Sequence, residues 1–297
     1  MAFGTLLAGN AVLLDTDIRH GGFRVRNRGG NNYAAPGARD NAVKTPVELS
    51  DTYGLWHRSW LQTPSVYDNS THVMWMQAAE LHVDMRLPEG VREMESASSL
   101  AALNSSQLRL LAAADGFAGK TSVTDSICTW SRRINFQGPL KGMDVGELKQ
   151  TTEGLLETGL YANYNELWQH VDNEKPQERL LSDNHGRTIV ILWTETQFAL
   201  GRGWSGRIDH NRSLREHVDF ALGRQDQAAL ARAFDQEFCF GQIEDGRGIV
   251  EHSTQPMRRG TSVFDATELF SGAASIEFSL VDFFGESTKV KFKSSRR

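Results

Sequence analysis

Apolar and polar residues alternate with a period of two over much of this chain, most densely between Tyr53 and Pro88. Leu55, His57, Ser59 and Leu61 oppose Trp56, Arg58 and Trp60. Val73, Trp75 and Gln77 oppose His72, Met74 and Met76, and Val83, Met85 and Leu87 oppose His82, Asp84 and Arg86. Successive side chains of a strand point to opposite faces, so each run predicts a strand with one buried face. Pro64 and Asp68-Asn69-Ser70 supply turns, which makes the stretch an antiparallel meander.

A helix follows, with Ser105-Ser106 to cap it, Leu108, Leu111 and Ala112 on one face, and Gly116 placed to stop it. Ile127 to Phe136 then reads as a strand with Trp130, Arg132, Ile134 and Phe136 on one side and Ser131, Arg133 and Asn135 on the other. Weaker strands are predicted over 144–152 and 154–158, and a further one over Tyr164 to Val171. The second half repeats the order. Thr188 to Trp193 is an apolar strand, and Gln197 to Trp204 follows it. Helical blocks cover 214–222 and 225–234, and Phe238 to Ile243 is a strand. Asp245-Gly246 signals a hairpin into Gly248 to Ser253, and strands over 275–283 and 288–293 end the chain.

Many short strands with few helices predict an all-β protein, and closed barrels remove the exposed edges that an open sheet would leave. The shared order of the halves, a helix and then a strand carrying a cysteine, suggests an internal duplication. The expected units are a glycine-rich N-terminal arm over 1–48, a first barrel over 49–163 and a second over 164–297. The arm is suited to wrap a neighbour, which leaves a homodimer open.

Composition narrows the function classes. The 297 residues carry a net charge of −5 and a pI of about 6.0, with cations scattered in small groups. A nucleic-acid binder would concentrate them on one basic face, so nucleic acid is not expected as a partner. The apolar start lacks a basic leader and runs straight into Asp15 and Asp17, so neither a signal peptide nor a membrane span is expected. Cys128 and Cys239 each sit in an apolar run, as buried thiols of a reducing compartment do. The cytoplasm is therefore the expected location. No Cys-x-x-Cys, His-x-His or His-Glu-x-x-His spacing points to a metal, and no cofactor is expected. Gly-x-Ser-x-Gly and phosphate-loop motifs are also missing, and no complete Rossmann fingerprint is present.

The blocks GLWHRSWL, THVMWMQ and HVDMRLP resemble a family of two-barrel, lipocalin-like proteins of the Hri type, found in fungi and bacteria. The likeness continues through DGFAGK, TWSRRINFQ and YNELWQHVD to FDQEFCFG and EHSTQP, covering about 55–256. Met74, Met76 and the long arm depart from the pattern of bacterial members. The resemblance implies two lipocalin-like antiparallel β-barrels with short flanking helices. It implies no particular reaction.

A small barrel can hold one ligand among apolar walls and a few fixed polar groups. If Val83, Met85 and Leu87 pack outward, then His82, Asp84 and Arg86 face the lumen; otherwise the trio faces solvent or Asp84 and Arg86 form a structural ion pair. Of Arg132 and Arg133, one faces inward, where it needs an anion or an internal carboxylate partner; Arg133 is taken as the ligand contact. Glu166 and His170 share a face whether their run is a strand or a helix, so a carboxylate and an imidazole can serve one chamber. Trp75, Trp130, Trp168 and His57 are expected to line it, although tryptophans serve the core more often.

The expected activity is that of a cofactor-independent lyase or isomerase, of decarboxylase or dehydratase type, on a small hydrophobic aromatic carboxylic acid. Asp84, Glu166, His170 and His82 would handle the proton, and Arg86 or Arg133 the carboxylate. The alternative is a non-catalytic carrier or sensor of a small apolar ligand in the same pocket.

Overall fold

A computed structural model of the chain describes residues 46–138, 142–204 and 212–294. All of the expected arm except 46–48 lies outside the described residues. The protein is all-β and consists of two closed, eight-stranded antiparallel barrels.

The first barrel is built from β1 (Gly54–Gln62), β3 (His72–Gln77), β4 (Leu81–Leu87), β5 (Asp115–Thr124), β6 (Ile127–Asn135), β7 (Val145–Gln150), β8 (Leu155–Gly159) and β9 (Asn165–Asp172). A two-residue side strand, β2 (Tyr67–Asp68), pairs with the end of β1. Antiparallel pairing of β1 with β9 closes the barrel. The domain boundary is corrected accordingly: β9 belongs to the first barrel, because β1 finds its second partner there, and the chain crosses between Asp172 and Gln177. The second barrel runs β10 (Gln177–Ser182), β11 (Thr188–Trp193), β12 (Gln197–Arg202), β13 (Glu237–Glu244), β14 (Arg247–Ser253), β15 (Ser262–Asp265), β16 (Ser275–Val281) and β17 (Ser287–Ser294), closed by β10–β17.

Helices enter both barrels at the same point, between the third and fourth barrel strands. They are α1 (Ser105–Leu111) in the first, and α2 (Leu214–Arg224) and α3 (Gln227–Ala233) in the second. The short α4 (Ala266–Phe270) leads into β16. Asn104 caps α1, its side chain accepting from the backbone N–H groups of Ser106 and Gln107. Gly116 does not end α1; it lies in β5, where an added Cβ would come 2.6 Å from the Phe238 ring of the other barrel. Asp245 and Gly246 take left-handed φ values of 48° and 72°, as a tight hairpin turn requires.

The outer faces of β3–β6 pack against the outer faces of β11–β13 and the helices. Val83, Met85 and Leu87 meet Val190, Leu192, Ala199, Phe238 and Phe240 in this core, together with Leu111, Val218 and Leu230. This burial turns the other side of β4 inward. The second lumen is filled by Ile189, Ile191, Trp193, Phe198, Leu200, Phe264, Phe278 and Phe292. The first holds Trp56, Trp75, Phe117, Trp130 and Trp168, with charged side chains among them.

One irregularity decides which charges enter. The β5–β6 register shifts between Ala118 and Gly119, so Ala118 opposes Ile134 while Gly119 opposes Arg132. This bulge reverses the alternation within β6. Trp130 packs inside the barrel, whereas Ile134 and Phe136 join the core outside it. Strict period two had placed all three with Arg132 on one side. Gly119 is needed here, because a Cβ would lie 2.0 Å from the Ser131 carbonyl oxygen.

Candidate functional site

His82, Asp84 and Arg86 are all buried in the first barrel. Arg86 grips Asp84 with both ends of its fork, Nε to Oδ1 at 2.9 Å and Nη2 to Oδ2 at 3.4 Å. Its Nη1 donates to Glu166 Oε1 at 3.2 Å. The same Glu166 oxygen accepts from Arg58 Nη1 at 2.8 Å, and Arg58 Nη2 reaches Asp68 Oδ2 at 2.6 Å. A continuous chain of charge therefore runs from Asp84 in the lumen to the turn after β2. Burial raises the Asp84 carboxyl to about 6 against the pull of Arg86. The surrounding carboxylates hold Arg86 charged against the cost of its burial.

A second ion-pair group sits on β5 and β6. Arg132 donates from Nε and Nη2 to Asp144 Oδ2 at 2.9 and 2.6 Å. Its guanidinium lies over the Phe117 ring, 3.5 Å from the centroid. Asp115 Oδ2 is 4.0 Å from Arg132 Nη1, and each of these buried atoms has no hydrogen-bond partner among the described residues.

Glu157 is the most distinctive group. It stands directly opposite Glu166 across β8 and β9. Tyr164 Oη donates to its Oε1 at 2.7 Å, and Trp168 Nε1 donates to its Oε2 at 3.0 Å. Burial, and then the neighbouring Glu166, push its carboxyl up to about 8. Both effects favour the protonated form of Glu157, which lies beside a small cavity. The lining is Trp75, Asp84, Arg86, Phe117, Trp130, Asp144, Glu157 and Trp168, and the volume of about 10 Å³ suits one water-sized group. Trp75 Nε1, a donor in this lining, is buried without a hydrogen-bond partner among the described residues.

His82 has a tautomer fixed by its neighbours. Thr121 spends its one hydroxyl proton on Gln77 Oε1 at 2.7 Å, so it accepts from His82 Nδ1–H at 2.9 Å. Nε2 then carries a lone pair, buried and without a partner. Burial and Arg132 lower the imidazole to about 3, so His82 is neutral at ordinary pH.

The remaining expected residues divide. Trp75, Trp130 and Trp168 are cavity walls. His170 is not in the chamber. Four residues along β9 from Glu166, about 13 Å at strand spacing, it is exposed, stacked on Trp56 at 3.4 Å between centroids, and bonded to the Tyr53 carbonyl. Arg133 is exposed, and the bulge gives its expected place to Arg132. His57 is on the outer surface of the barrel, in a separate cleft.

Nothing in the sequence singled out Glu157, since Leu155 and Leu156 leave both faces of its short strand apolar. Arg58 was more accessible, because it alternates with Trp56 and Trp60 in the first meander. Among the described residues, no three His, Cys, Asp or Glu side chains are grouped to hold a metal ion, and no helix is long and apolar enough to cross a membrane.

The chain is therefore a two-barrel protein, and the aromatic lumen of its first barrel is threaded by buried charge. No protein-family model matches it, and no curated protein does. Among solved structures, it is similar to an uncharacterized protein of Saccharomyces cerevisiae at 10% identity, covering 82% of this chain and 97% of that one, with a TM-score of 0.42.

Proposed function

We propose that the first barrel is an acid–base chamber for the carboxyl end of a small hydrophobic acid, and that the protein is a cofactor-independent lyase or isomerase of the lipocalin-like Hri type. The observation that carries this is the placement of Glu157, a buried carboxyl directly opposite Glu166 and beside Arg86 and three indoles, where burial and Glu166 favour its protonated form. A proton donor near the working pH is what general acid catalysis needs. Arg86 and Trp75 Nε1 receive the substrate carboxylate, and Glu157 delivers the proton. Trp75, Trp130 and Trp168 face the apolar part. The cavity of about 10 Å³ admits an aromatic ring only if these indoles part, so aromatic substrates are selected by how far the walls open. The buried free thiols of Cys128 and Cys239 agree with residence in the cytoplasm.

A second reading is a non-catalytic carrier or sensor. It is favoured by the mutual saturation of Arg86 with Asp84 and Glu166, which leaves Arg86 little need of a substrate anion.

The test incubates the protein without cofactor against a panel of aromatic and aliphatic carboxylic acids, followed by tryptophan fluorescence and mass spectrometry. Loss of carbon dioxide or water from one acid, abolished by Glu157→Gln, supports the enzyme. Fluorescence quenching with no mass change supports the carrier. Neither signal from folded protein overturns both.

A further inference from the structure

Outside the first lumen is a cleft of about 360 Å³, within the range of small-molecule sites. Its walls are His57 from β1, His72 from β3, the Asn69–Thr71 turn, and the segment from Leu87 through Arg92 and Glu93. His252 of the second barrel packs against His72 with centroids 4.4 Å apart, and His57 lies on the other side of His72 at 5.5 Å. Three imidazoles from two barrels therefore meet at one seam. His72 Nε2 is shielded from solvent and has no hydrogen-bond partner among the described residues. Arg92 is exposed on this wall, and no described carboxylate pairs with it. By contrast, the nearby Arg259 is held by Glu95 at 2.6 Å.

We propose that this cleft binds a small organic anion through a carboxylate or phosphate head, with Arg92 supplying the charge and the imidazoles of His57 and His72 supplying N–H donors, while His252 backs His72 from the second barrel. A guanidinium suits either oxyanion through paired hydrogen bonds. The volume exceeds what an inorganic anion fills, so the head carries an organic body that rests on Leu87, Pro88 and Val91.

The cluster also sets a pH dependence. Burial and the charges around them lower His72 to about 3 and His252 to about 4, and His57 is lowered as well. The groups acting on them are Arg92, Arg259, Glu95 and Arg58, and the three imidazoles themselves. The carboxylates of Glu89 and Glu93 are exposed at the cleft. An anion at Arg92 offsets the positive terms, so its arrival favours imidazolium. That proton uptake falls near the lowered values of about 3 and 4, so at pH 6 and above binding rests on Arg92 and neutral N–H donors.

The experiment is a titration of the full chain with inorganic phosphate and with acetate, followed by the imidazole carbon–proton NMR signals at constant ionic strength. A saturable shift of the His72 and His252 signals is expected at pH 7.5. Arg92→Gln, on an exposed side chain, should weaken it about tenfold or more. The probe with the tighter midpoint tells a phosphate head from a carboxylate head. No saturable shift with either probe, or equal binding by Arg92→Gln, overturns the proposal.

Discussion

Glu157 and Glu166 face each other across β8 and β9, and both are buried. Like charges directly opposite on a sheet repel; Arg58 and Arg86 pair with Glu166, and the repulsion is relieved at Glu157, whose carboxyl is pushed toward its protonated form. The folded carboxyl is raised from the ordinary value of 4.5 to about 8. Between those values the unfolded chain is ionised while the folded chain keeps its proton, so this group makes stability fall as pH rises. Below the lower value it contributes no slope, and above the upper value the loss is complete. Glu157→Gln should remove this slope, which is at most about 1.4 kcal/mol per pH unit. Urea unfolding of both proteins at pH 5, 6.5 and 8 measures it, and parallel curves would refute the proton on Glu157.

The same substitution separates the two functional readings. If Glu157 delivers a proton, Glu157→Gln lowers turnover by about 10²–10⁴-fold and leaves substrate binding nearly unchanged. His170→Ala, at the exposed rim, should leave turnover within about twofold if general acid catalysis runs through Glu157 alone. Single-turnover assays with a substrate from the acid panel check both.

Arg132 and Arg133 are neighbours in sequence with opposite fates. Arg132→Ala strands the buried carboxyl of Asp115 and the largely buried one of Asp144, and should cost about 3–5 kcal/mol. Arg133→Ala, on an exposed side chain, should stay within about 0.5 kcal/mol. Denaturant midpoints at equal slope test the pair, and equal costs would mean that the bulge is misplaced.

The bulge itself depends on Gly119. Adding a methyl group there drives a Cβ into the Ser131 carbonyl at 2.0 Å. Backbone cannot yield as a flexible side chain does, so Gly119→Ala should destabilise by about 2 kcal/mol or more. Thermal unfolding reads this directly. Gly223→Ala is the control, since nothing lies within 4 Å of its added Cβ.

His82 supplies an opposing acid-side slope. Its folded value of about 3 lies below the ordinary imidazole value of 6.5. As pH falls through that interval the unfolded chain gains a proton that the folded chain refuses, and stability drops. His82→Gln should flatten the loss between pH 6.5 and pH 4 relative to the parent, measured by urea unfolding at pH 6.5, 5 and 4.

Several features followed from the sequence alone. Period-two patterning marked the strands, and their number with few helices marked an all-β protein of closed barrels. The apolar side of Val83, Met85 and Leu87 set His82, Asp84 and Arg86 on the opposite face, leaving two orientations open. Local pattern reports which residues share a face because strand geometry is local. It does not report which face is inside, how registers shift, or which strand closes a ring. The packing of the two barrels decided the first point by burying Val83, Met85 and Leu87. The bulge at Gly119 decided the second, moving Arg132 inward and Ile134 outward. Pairing of β1 with β9 decided the third, and placed Glu166 beside Glu157, Arg58 and Arg86. These are contacts between residues far apart along the chain, and their energies come from burial and charge that exist only once the barrel has closed.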